Sequence, residues 1–473
     1  MKTNKTFLMV LCLSLSVCLA LNLIELALGV LAIVPLILLM RLALLDNTIE
    51  SRLLSITYSL GQVICWVIGF LGCVYILAPF GYEIGEHTIT TMILINLVTW
   101  GSLWGSLIAL PLSKKKAPVI LSPLPENLAR KAVPLTGIIF FFFLIANYAS
   151  GYLTIRTEIG VTLPPSSPLY FLTALSILQY VFFFVIGTRL YPPLLSKANI
   201  TYISILLICA IIISMTGGRE LSLRIIIYFI AGSLYSKVEF KSIRLLVLGS
   251  LPLVLAFIVV IGIIRGNEDF QNADFNTRLQ LFFQAGTGQL EASATDDEEN
   301  PFFTLFTRMT EPTGQLVIDN VAENHQYIGF ENFERIGNIF IPKFITGDKV
   351  PLDDGGERLR DNYGVYVNEF TVKPITFMAD CFERGGYMAV FISSVLLSTL
   401  LTTIGNLIYK LKDDMLKLIL NISLSYGGLR IYAFSVLGTV NLIFYQFLRD
   451  TILISFLIYM IRMLSNEPKR YHK

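Results

Sequence analysis

Residues 266–385 form a polar block in a chain that is otherwise one apolar run after another. The block is a quarter of the length, yet it carries 21 of the 34 acidic residues. Apolar runs of about 18 residues or more read as membrane helices, and a long polar block between such runs has to stay in water. The pattern predicts an all-α polytopic membrane protein with one large extramembrane loop. It divides the chain into membrane helices over 1–265, the loop over 266–385, and further helices with a short tail over 386–473. Composition agrees, with 54% hydrophobic and 15% charged residues, against about 25% charged in soluble domains.

A net charge of +2 is too small to imply a nucleic-acid partner. The six cysteines and three histidines (His87, His325, His472) are scattered. Their spacings are not those of a metal site or a disulfide framework, so no metal and no other cofactor is expected. The first apolar run has no small-residue cleavage site and continues into more membrane. It reads as a retained helix.

A hydrocarbon core of about 30 Å takes about 20 residues per helix, which gives about twelve spans. They fall near 7–24, 26–44, 60–80, 89–110, 133–149, 169–188, 200–216, 222–236, 243–264, 386–409, 416–437 and 443–464. The seventh and eighth are short and joined by Thr216-Gly217-Gly218-Arg219-Glu220. Lysine and arginine in the short loops set orientation. With the N-terminus inside, one set of loops holds Lys2, Lys5, Arg41, Arg52, Lys114, Lys115, Lys116, Arg130, Lys131 and, at the far end, Lys469, Arg470 and Lys473. The opposite short loops hold little beyond Arg156, Arg219 and Arg224. Both termini are therefore expected in the cytoplasm, and 266–385 on the outer face of a bacterial inner membrane, facing the periplasm in a Gram-negative cell.

The loop has structure of its own to offer. Phe302 to Phe306 and Leu316-Val317-Ile318 fall at helical spacing, predicting an amphipathic helix over 302–322 with Arg308 and Glu311 on its polar side. The acid run Asp296-Asp297-Glu298-Glu299 precedes it, as suits a helix N-terminus. A charged Gly-rich stretch, Asp353 to Arg360, and Thr376 to Gly386 complete the loop.

Ionisable residues beside apolar spans are costly and tend to be functional. Arg219, Arg224, Arg265, Arg430 and Arg449 all fall toward the outer side, against the positive-inside trend. Two readings stay open. They snorkel or pair locally, Arg449 with Asp450 and Arg219 with Glu220, or they gather as guanidinium ligands for a lipid-linked phosphate or pyrophosphate.

Three pieces resemble the Wzy-type oligosaccharide repeat-unit polymerases, in the superfamily that also holds the O-antigen ligases. Thr216-Gly217-Gly218-Arg219 is similar to their small-residue-plus-Arg motif at an outer helix end. Arg308, followed by Ile339-Phe340-Ile341-Pro342-Lys343, resembles their large-loop Arg and Ile-Pro-Arg pattern, with Lys343 for the last Arg. Asp380-Cys381-Phe382-Glu383-Arg384-Gly385-Gly386 resembles their Asp-aromatic-Gly-Gly lead into the next helix.

The resemblance implies a metal-independent glycosyltransferase of the GT-C type. Donor and acceptor would be undecaprenyl-pyrophosphate-linked glycans drawn from the membrane lipid phase, with a chain-length-determining co-polymerase as partner. The leaving pyrophosphate needs its charge balanced, a task for Arg219, Arg224, Arg265, Arg308, Lys343, Arg430 and Arg449. The attacking hydroxyl needs a general base, for which the loop offers Asp380 first, then Glu383, Glu369 and His325. Arg384 beside Asp380 would keep that carboxyl ionised, although the pair is equally well explained as a loop salt bridge. An O-antigen ligase would use the same chemistry on a different acceptor. A lipid-linked oligosaccharide flippase would show repeated halves and midplane charges, and neither is visible.

Overall fold

The computed structural model describes residues 14–18, 21, 23–46, 48–77, 85–109, 126–149, 175, 177–193, 196–214, 219–236, 238, 275–287, 312–338, 355–365 and 375–465. All regular structure among these residues is helical. Five helices are long and apolar enough to cross a membrane: α1 (Ile24–Leu45), α2 (Ile49–Leu77), α3 (Thr88–Ile108), α11 (Phe377–Tyr409) and α13 (Val436–Met463). The others are α4 (Glu126–Ala149), α5 (Leu178–Thr188), α6 (Lys197–Ser214), α7 (Arg219–Ser233), α8 (Phe275–Gly286), α9 (Pro312–Asn324), α10 (Gly355–Tyr363) and α12 (Asp414–Arg430). This is the make-up of an all-α membrane protein. The span expected at 243–264 and most of that at 7–24 lie outside the described residues.

Two compact units form. The first comprises Met1–Pro118, Glu299–Leu411 and Leu424–Leu448, the second Val119–Glu298, Lys412–Ser423 and Arg449–Lys473. The polar block thus contributes to both, changing unit between Glu298 and Glu299.

The first unit is built on α2, α3 and α11. Lipid tails are as apolar as leucine, so membrane helices associate through small residues and hydroxyl contacts rather than through water release. Both devices appear here. A β-carbon on Gly105 would lie 2.2 Å from the Val395 carbonyl oxygen, and one on Gly405 2.1 Å from that of Ser51. Only glycine permits these approaches. Ser55 donates to the Ser398 carbonyl at 3.0 Å and shares a 2.7 Å bond with Thr402, while Ser398 donates to the Ser102 carbonyl at 2.6 Å. The order of contacts gives direction. Tyr58, Ser55 and Ser51 meet Ser394, Ser398 and Gly405 in turn, so α2 runs antiparallel to α11. Gly101, Gly105 and Ala109 meet Ser394, Ser398 and Asn406, so α3 runs parallel to it.

Helix α9, from the polar block, covers the end at which α3 and α11 begin. Gln315 of α9 accepts from Thr91 at 2.8 Å, and Asp319 accepts from the His87 amide at 3.1 Å. Val317, Ile318 and Val321 are buried and Leu316 is 41% exposed. The amphipathic helix expected over 302–322 is therefore seen from Pro312, which stands at its first position as proline prefers. Arg308 and Glu311 lie outside the described residues. Burial raises the Asp319 carboxyl above the ordinary range, against the hydrogen bond from Gln315.

The second unit packs α5 between α4 and α7. Gly187 and Gly232 let α5 and α7 cross in contact, since β-carbons there would meet the carbonyls of Phe229 and Phe184 at 2.3 and 2.0 Å. Where α4 meets α5, Phe140 stacks on Phe182 and both meet Phe183 edge to face, with centroids 4.9–5.4 Å apart, a geometry that adds to simple burial.

Candidate functional site

The chemistry-bearing cluster of the first unit lies where α11 breaks. Thr376 caps α11, its hydroxyl accepting from the Ala379 amide at 3.4 Å. Two helical turns follow, carrying Asp380, Glu383 and Arg384. The helix then departs from helical geometry at Gly385 and Gly386, the latter at φ 67° and ψ −159°. That region of backbone space is open almost only to glycine. A β-carbon on Gly386 would also sit 2.9 Å from the Tyr327 hydroxyl. The amides of Ile328 and Gly329 donate to the Glu383 and Arg384 carbonyls at 3.0 and 3.1 Å, satisfying acceptors that the break leaves behind.

Arg358 of α10 unites the two carboxylates. Its Nη2 donates to Asp380 Oδ1 at 2.7 Å and its Nη1 donates to Glu383 Oε2. Arg384 Nε donates to the same Asp380 oxygen at 2.9 Å, and the Val436 amide donates to Oδ2 at 2.6 Å. Tyr363 gives its phenol to Glu383 Oε1 at 2.8 Å. Arg384 is fixed in turn by the carbonyls of Gly329 and Glu331, at 3.2 and 2.9 Å, and by the Phe333 ring 4.8 Å away. Two guanidinium and two carboxylate groups make the cluster neutral overall. Neutrality matters, because Asp380 and Glu383 are 0% and 1% exposed and an unpaired charge there is prohibitive. Burial, with the Glu383 carboxylate beside it, pushes the Tyr363 phenol above its ordinary range. Tyr363 therefore serves as a neutral donor.

The two carboxylates differ in what surrounds them. Asp380 takes three donors, two of them arginines, from three separate elements. It ties α10, α11 and the start of α13 together. Glu383 Oε1 takes the phenol of Tyr363, a residue only partly buried at the end of α10. On Asp380, Oδ1 is taken by two arginines and Oδ2 by the Val436 amide.

His325 stands apart from this chemistry. It is exposed, adopts φ 53° and ends α9, its amide donating to the Val321 carbonyl at 2.9 Å. Glu369, Arg265, Arg308, Lys343 and the acid run from Asp296 lie outside the described residues, as does the side chain of Arg219, which opens α7. Arg430 ends α12 in the first unit, 5.1 Å from the Phe434 ring. Arg224 and Arg449 belong to the second unit. There Arg449 pairs with Asp450 at 2.8 Å, the local pairing foreseen from sequence. Arg224 stacks 4.8 Å from the Tyr180 ring and lies within electrostatic reach of Asp450.

Sequence reasoning noticed Arg384 but passed over Arg358 and Tyr363. The sequence places both acids on one helical turn, at i and i+3, and such a pair needs an arginine once buried. Which arginine answers is decided by a contact 22 to 25 residues away, and no local pattern reports it. No protein-family model, no curated protein and no solved structure matches the chain.

Proposed function

We propose that this protein is a glycosyltransferase of the bacterial cytoplasmic membrane. It joins undecaprenyl-pyrophosphate-linked oligosaccharide repeat units into a surface polysaccharide, at the outer face, through a membrane domain of about twelve spans of GT-C type. The observation that carries this reading is the neutral cluster of Arg358, Asp380, Glu383 and Arg384, set at the glycine break where α11 turns into its apolar run. That cluster includes Asp380, Glu383 and Arg384 of the Asp-aromatic-Gly-Gly stretch, which supports reading the stretch as chemistry. The antiparallel course of α2 against α3 and α11, with α9 over one end, supports the sidedness read from loop charge.

In this reading the anomeric carbon of the growing chain loses its bond to the lipid pyrophosphate. It gains one to a hydroxyl of the incoming repeat unit. The hydroxyl proton passes to Glu383 Oε1, taking the place of the Tyr363 phenol. Asp380 accepts from Arg358 and Arg384 and so positions Arg358 against Glu383. Arg308, Lys343 and Arg430, which share the first unit with Glu383, are the proposed ligands for the departing pyrophosphate, which needs charge stabilisation rather than a metal.

The surface-glycan profile of a deletion strain tests the proposal. Lipid capped with a single repeat unit is the expected result. Loss of all surface glycan would assign the chain to ligation or flipping instead.

A further inference from the structure

Arg52 raises a separate question. Loop charge put it in a short connection, but it lies in the first turn of α2 at 0% exposure. Asp46, itself 47% exposed, lies 3.4 Å from its Nη2. Nε and Nη1 are buried and have no hydrogen-bond partner. A guanidinium carries five N–H donors and cannot shed its charge, so most of this one's bonding capacity is unmet.

The surroundings have the same deficit. Thr48 is the N-cap of α2, yet its hydroxyl makes no capping bond, and Thr48 Oγ1 is buried without a partner. The opening N–H groups of a helix have no acceptors inside it, and they carry the positive end of the dipole. Arg52 reaches back past this turn to Asp46, so its unpartnered nitrogens lie at the same end. Glu50, in the same turn, has a partner of its own.

The location narrows the ligand. Ser51 packs on Gly405, at the end of α2 and α11 remote from α9 and the glycine break. Leu44, Leu45 and Leu407 are 60–67% exposed at this end, a surface suited to acyl chains. Half-exposed Asp46 marks the way in from that surface.

We propose that Arg52, Thr48 and the first turn of α2 bind a phosphate group at the end of the first unit opposite the polar block. Helix N-termini with an adjoining arginine suit this chemistry. The phosphate is that of a phospholipid headgroup or a free phosphate ion, and the site is independent of the glycosyl-transfer reading.

The test uses full-length protein purified in detergent. Thermal unfolding is followed on adding inorganic phosphate, or mixed micelles containing phosphatidylglycerol. An occupied site raises the midpoint by a few degrees. A rise with phosphatidylglycerol alone identifies a headgroup, and a rise with phosphate as well identifies a general phosphate site. Arg52→Gln should abolish the rise and Thr48→Val should reduce it. No rise with either additive overturns the proposal, as does a rise that Arg52→Gln leaves intact. Should Arg52→Gln fail to fold, the wild-type titration and Thr48→Val decide the matter alone.

Discussion

Replacing Arg358 with methionine removes a side chain that touches both buried carboxylates. Methionine keeps much of the length and apolar stem, so packing changes little. What remains is Asp380 and Glu383 facing Arg384 alone, a buried cluster one charge out of balance. Breaking a buried ion pair by deleting one partner costs about 3–5 kcal/mol, a large share of the 5–15 kcal/mol typical of a domain. Cys381 provides the readout. It is a free thiol, 1% exposed, between the two carboxylates in sequence. At about 1.4 kcal/mol per tenfold, Arg358→Met raises the population in which Cys381 is accessible by roughly 10²- to 4 × 10³-fold. Labelling by a thiol reagent, mapped by mass spectrometry, rises with it while reclosing outpaces reaction. Adding Glu383→Gln restores neutrality and should bring the rate partway back. Unchanged labelling and melting in Arg358→Met would show that the arginine bears no such load.

Glu383→Gln leaves the buried cluster one charge out of balance and should lower the melting temperature, while chain growth per folded molecule falls roughly 10²- to 10⁴-fold, the usual weight of a general base; Asp380→Asn should lower both the melting temperature and activity. Normal polymerisation by Glu383→Gln would return the base assignment to Asp380 or Glu369. Gly386→Ala forces a side chain into glycine-only backbone and onto Tyr327, costing about 1–3 kcal/mol, measurable as a lower melting point than that of Gly385→Ala. Gly105→Leu drives a side chain into the backbone of α11 and should destabilise by at least the roughly 1–3 kcal/mol of ordinary overpacking, whereas Gly329→Leu, with open space around it, should not approach that loss except through its positive φ.

Apolar runs were legible wherever a helix buries hydrocarbon. The runs at 26–44 and 89–110 are α1 and α3 to within two residues. Hydropathy failed where packing is polar. The span read from residue 60 begins at Ile49, because Ser51, Ser55 and Ser59 look like a loop and are buried against hydroxyls and carbonyls of neighbouring helices. The span read as 416–437 stops at Arg430, and α13 begins at Val436 behind Ser435, whose hydroxyl accepts from the Gly438 amide at 3.0 Å. The cap forms inside an apolar run, where hydropathy alone shows no break. In the cluster, Asp380, Glu383 and Arg384 were readable from spacing on one helix. Their reliance on Arg358 was not, since a buried charge finds its partner through the fold.

The central claim is that this chain elongates a lipid-linked glycan. The direct measurement supplies purified protein in lipid nanodiscs with an undecaprenyl-pyrophosphate-linked repeat unit and resolves the products by size. A ladder of multiples of the repeat unit, with undecaprenyl pyrophosphate released at each step and lost in Glu383→Gln, is the predicted result. Repeat units that stay single, or that move only onto a lipid A–core acceptor, would contradict it.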